Sequence, residues 1–64
     1  MENNLMELLQ QMENEFIATA RDSEKFVEGN NSAGTRVRKA MQNIKGLAQQ
    51  VRIEVQAQKN GVPA

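Results

Sequence analysis

The sequence predicts an all-α protein: an antiparallel two-helix hairpin of coiled-coil type that dimerises into a four-helix bundle. Three observations carry that prediction. Two long stretches place apolar or small residues at alternating steps of four and three, a single break, "EGNNS" at 28–32, separates them, and no run alternates in the two-residue rhythm of a strand.

The first helix is expected over about 4–28. Leu5, Leu9, Met12, Phe16, Thr19, Ser23 and Phe26 fall on one face, and Asn4 and Glu7 have the spacing of a capping box. Gly29 suits the left-handed position that ends a helix, and Asn30, Asn31 or Ser32 can cap the next one, which makes 29–32 the turn. The second helix, over about 33–59, repeats the rhythm in Val37, Met41, Ile44, Ala48, Val51, Val55 and Gln58. Asn60, Gly61 and Pro63 end it and leave a short tail, 60–64. The whole of 1–64 reads as one helical-hairpin domain.

Folded about the turn, the two faces are mirror images. Leu5 meets Val55, Leu9 meets Val51, Met12 meets Ala48, Phe16 meets Ile44, Thr19 meets Met41 and Ser23 meets Val37. Phe16 and Ile44, at the middle of this seam, are expected to be the deepest positions. The methionines Met6, Met12 and Met41 read as core filler. Leu8, Ile17, Ala20, Val27, Ala40, Leu47 and Ile53 fall outside the seam. A chain of 64 residues buries only about 60 % of its unfolded surface, so a partner copy is expected. Leu8, Ile17, Ala40 and Leu47 are its expected contact, in a homodimer or homotetramer.

Composition narrows the function classes. The chain has no His, Cys, Trp or Tyr, which removes the commonest general base, the thiol nucleophile and the usual zinc ligands. It reads as no enzyme, with no cofactor, no metal and no small-molecule substrate. No apolar run has the length of a signal peptide or a membrane span, and a cytoplasmic location is expected. Eight basic and eight acidic residues cancel overall, yet residues 1–30 hold seven acids and two bases, whereas 31–64 hold six bases and one acid. Such asymmetry fits two halves that attract each other, or one half reserved for an anionic partner.

Arg38, Gln42, Lys45, Gln49, Arg52, Gln56 and Lys59 form a second stripe on the second helix, polar and free of carboxylates. By helix rotation it lies about 160° from the apolar flank of Ala40 and Leu47. Periodicity leaves two readings open. The stripe can be a solvated face that pairs with the acidic first helix, or a row of cations about 10 Å apart that neutralises phosphates while the glutamines donate to phosphate or sugar oxygens. Arg36, Arg38 and Lys39 add a dense cluster near the helix start. Gly34 and Gly46 each weaken a helix by roughly 1 kcal/mol, and read either as sites of close approach by a partner helix or nucleic-acid backbone or as glycines the helix simply tolerates.

The segment "EKFVEGNNSAGTRVRKAMQNIKGLAQQVRIEVQAQKN" resembles the histone-like family first known from chlamydiae, of the linker-histone (histone H-one) type, and above all its short bacterial members. The most specific matches are Gly29-Asn30, "AGTRVRK" at 33–39 and "LAQQVRIEVQ" at 47–56. That resemblance implies a DNA-binding, nucleoid-associated protein, with Arg36, Arg38, Lys39, Lys45 and Arg52 as the matching basic positions. Longer members carry a Lys-, Ala- and Pro-rich tail that is not seen before Ala64, so binding is expected to be weak per protomer and strengthened by oligomerisation. The combined expectation is a small nucleoid protein that binds duplex DNA nonspecifically through Arg36, Arg38, Lys39, Lys45, Arg52 and Lys59. The alternative is a structural or regulatory coiled-coil module that binds another protein.

Overall fold

The computed structural model describes residues 4–60. Two helices, α1 (Asn4–Val27) and α2 (Asn31–Lys59), make up the fold, and no strand occurs among the described residues. Of the expected tail at 60–64, residues 61–64 lie outside them.

The turn is set by local chemistry. Gly29 has φ 110°, a backbone conformation open to a residue without Cβ. Its N–H donates to the Phe26 carbonyl at 2.9 Å while the Asn30 N–H donates to the Lys25 carbonyl at 3.0 Å. These two bonds satisfy carbonyls that the end of α1 would leave open, in the Schellman pattern. Asn30 then serves α2, because its side chain accepts from the Ala33 N–H at 3.1 Å. One residue thus closes one helix and opens the next, so α2 begins two residues earlier than the sequence suggests. At the far end the Asn60 N–H donates to the Gln56 carbonyl at 3.0 Å, and Gln56 Nε2 to Asn60 Oδ1 at 3.2 Å.

The helices pack along one narrow line, and here the sequence-based seam needs correction. Leu5, Leu8, Met12, Glu15, Thr19 and Asp22 are the inner positions of α1; Ala33, Val37, Ala40, Ile44, Leu47, Val51, Glu54 and Ala57 are those of α2. Leu9, Phe16, Met41 and Val55, expected inside, are 44 %, 52 %, 43 % and 38 % exposed. The deepest residues are Ala33 at 0 % and Thr19 at 9 %, not Phe16 and Ile44. Conversely, Leu8, Ala40 and Leu47, expected on an outer flank, are partly buried between the helices, while Ile17 points to solvent.

Side-chain size gives the reason. Ala33, Ala40 and Thr19 are small and let the helices approach, and Thr19 satisfies its hydroxyl by donating to the Glu15 carbonyl at 2.7 Å. A phenylalanine in the seam would hold them apart. Gly34 adds another close approach: a Cβ built there would lie 2.6 Å from the Phe26 ring, which rests on the bare backbone of α2. The close contact invoked for Gly34 is therefore intramolecular. Gly46 has nothing within 4 Å of such a Cβ.

The result is a slab one helix thick, with extents of 50 × 18 × 11 Å. Its radius of gyration is 15.1 Å, against about 11 Å for a compact domain of this length. Among the described residues no large side chain is fully buried.

Candidate nucleic-acid interface

In an antiparallel pair, equal rotations away from the seam emerge on the same broad side of the slab. Residues that follow an inner position by one therefore share one side, and residues that precede it share the other. Leu9, Phe16, Met41, Ala48 and Val55 follow Leu8, Glu15, Ala40, Leu47 and Glu54 and give the first side an apolar middle, while Glu13, Arg38, Lys45 and Arg52, which follow Met12, Val37, Ile44 and Val51, lie on the same side toward its edges. Gln11, Ala18, Arg36, Asn43 and Gln50 precede inner positions, and the second side is mainly polar, with the exposed Ile53 also on it. Its grooves confirm the grouping. One is lined by Gln11, Asn14, Asn43, Gly46 and Gln50, and another by Ala18, Asp22, Arg36, Lys39 and Asn43.

This arrangement divides the basic residues. Arg36 and Lys39 open on the polar side, where Arg36 Nε donates to Asp22 Oδ1 at 3.0 Å. The Asp22 side chain is 21 % exposed and that of Arg36 49 %, so the pair pins the hairpin near its turn while the cation keeps access to solvent. Arg38, two residues and about 200° further on, points the other way. The dense cluster suggested by Arg36, Arg38 and Lys39 is therefore split between two sides of the molecule.

Arg38, Lys45, Arg52 and Lys59 remain together, each exposed, with Gln42, Gln49 and Gln56 beside them along the back of α2. Among the described residues no carboxylate lies within ion-pair distance of these four cations. The acidic residues of α1 thus do not neutralise the stripe within the chain: Glu15 and Asp22 face the seam, and Glu13 and Glu24 are on the far helix. The stripe spans three heptads at about 10.5 Å per step, drifting by about 20° around the helix with each. It carries no aromatic residue, so it has charge and hydrogen-bond donors but no surface on which unpaired bases could stack.

The stripe does not lie opposite the uncovered apolar surface, as the sequence-based seam implied. It borders that surface, since Met41 sits three residues after Arg38 and four before Lys45 on the same flank of α2. Sequence reasoning missed this juxtaposition. The signal that could have found it is the ion-pair spacing of Asp22 and Arg36, which fixes the rotation of both helices.

A family model described as "Histone H1-like protein Hc1" matches residues 6–61. The chain belongs to this histone H1-like family. The match spans most of α1, the turn and α2. Nothing among curated proteins or solved structures matches the chain significantly. Among the described residues no three acidic side chains gather as a metal site, and no helix is long and apolar enough to cross a membrane.

Proposed function

We infer that this histone H1-like protein is a DNA-binding component of the nucleoid, without enzymatic activity, that meets duplex DNA through the outer edge of α2. The observation that supports the reading most is the row of Arg38, Lys45, Arg52 and Lys59, exposed, in line and unpaired with the acidic helix. Such a row is suited to phosphates, contacts that carry no sequence information, so binding through them is nonspecific. Arg36 and Lys39, on the other side of the slab, contribute a second and smaller contact. Net charge is zero, so affinity per chain is modest, and self-association supplies the avidity.

The test is binding to a fluorescent duplex across a salt series. Each phosphate contact contributes about 0.9 to the slope of log affinity against log salt. The variant Arg38→Gln/Lys45→Gln/Arg52→Gln should therefore lose about 2.7 of that slope for each protomer engaged, with helicity unchanged because Gln, Lys and Arg have similar helix propensity. Equal slopes for parent and variant would refute the stripe as the contact. A second reading, a coiled-coil module for another protein, is favoured by the exposed apolar side and would then take first place.

A further inference from the structure

The apolar side of the slab is the largest feature that DNA contact leaves unexplained. Leu9, Phe16, Met41 and Val55 are each 38–52 % exposed, and the hairpin offers nothing to cover them. Its two rims differ in chemistry. Along α1 the rim is Met6, Glu13, Ala20 and Val27; along α2 it is Arg38, Lys45, Arg52 and Lys59.

We propose that a second copy of this chain covers that side, related by a two-fold axis parallel to the long axis of the hairpin, with Phe16 on the partner's Met41 and Glu13 beside the partner's Lys45. This deepens the self-association proposed above and rests on it. Area allows it. A face of 50 × 18 Å presents on the order of 900 Å², against about 800 Å² per partner in a standard interface.

Charge selects the axis. A two-fold across the slab would lay α2 on the partner's α2 and bring two rows of four cations into one groove. A two-fold along the slab lays α1 on the partner's α2 instead, so the rim holding Glu13 meets the basic rim, and both turns lie at the same end. Neighbouring helices are then antiparallel all round, as in a four-helix bundle.

Symmetry also fixes the register. Rotation about the long axis leaves every residue at its own height, so the partner's α1 lies against α2 at the heights the two helices have within one hairpin. Those heights are set by the Asp22–Arg36 ion pair and by the Phe26 ring over Gly34. They bring Leu9 to the partner's Ala48, Phe16 to the partner's Met41, and Glu13 level with the partner's Lys45. The glutamines of the stripe remain on the outside.

Sedimentation equilibrium of the full chain, without nucleic acid, tests the dimer independently of DNA binding. The parent should sediment at twice its 7.2 kDa protomer mass at micromolar concentration; a monomer throughout would overturn self-association and this interface together, leaving the DNA reading to its own salt test. Phe16→Glu should dissociate the dimer, whereas Ile17→Glu, its equally exposed neighbour on the outer side, should not; an unchanged mass for folded Phe16→Glu overturns the face alone. Glu13→Lys and Lys45→Glu leave the seam untouched and decide the matter if Phe16→Glu fails to fold. Each should raise the dissociation constant about tenfold, since one pair is lost twice by symmetry, and the double swap should restore it. Tighter association of Lys45→Glu than of the parent would overturn the axis in favour of the crosswise one.

Discussion

Asn30 and the two internal glycines show how single residues set this fold. The Asn30 side chain is the N-terminal cap of α2 while its backbone N–H completes the end of α1. Asn30→Ala keeps the second bond and removes the first, and should lower stability by about 1 kcal/mol, read as a drop in the thermal midpoint followed by circular dichroism. Gly34 and Gly46 are equal in sequence and opposite in surroundings. Gly46→Ala adds a methyl to open space and should stabilise α2 by up to about 1 kcal/mol, or about 4–8 °C for a domain of this size. Gly34→Ala has the same propensity gain but drives its methyl into the Phe26 ring, and should fall well short of that increase. An equal rise in both variants would show that the Phe26 contact contributes nothing.

At the scale of the helices, much was legible in the sequence. Two periodic stretches and one Gly-Asn break suffice for two helices and a hairpin, because helix rhythm and turn chemistry are local. The choice of inner line was not legible. Stripes through Leu5, Leu9, Met12, Phe16 and Thr19 and through Leu5, Leu8, Met12, Glu15 and Thr19 share three members and differ by a small rotation. The more apolar stripe is the outer one, because one hairpin needs a narrow line of small residues and the bulky ones need a different cover. The basic stripe was legible as a row for the same local reason. Its position beside the apolar side was not, since that depends on the inner line. The partly buried carboxylate of Glu15 is the clearest consequence: it lies beside Leu47 at the seam with apolar inner neighbours. Glu15→Leu should strengthen the hairpin by about 1 kcal/mol through added apolar burial, measured by urea titration. A weakened variant would mean that the carboxylate itself is needed there.

For the molecule as a whole, a slab one helix thick has a surface on nearly every side chain, which suits a protein whose role is contact. Its two broad sides are chemically distinct, amide-rich on one and largely apolar on the other, and Arg38, Lys45, Arg52 and Lys59 border the apolar one. The three-residue link between Val27 and Asn31 has a further consequence, in time. The Asp22–Arg36 contact closes a very short loop, whereas contacts at Leu5 span almost the whole chain, so the entropy of closure is lowest beside the turn. Folding should start there and run toward the open end, quickly, as befits a chain whose contacts are mostly local. Opening should run in reverse. Backbone amides should therefore exchange with deuterium slowest around Thr19 and Val37 and fastest around Leu5 and Gln56, a gradient along the hairpin instead of one common rate. Uniform exchange along both helices would show that the hairpin opens as a unit.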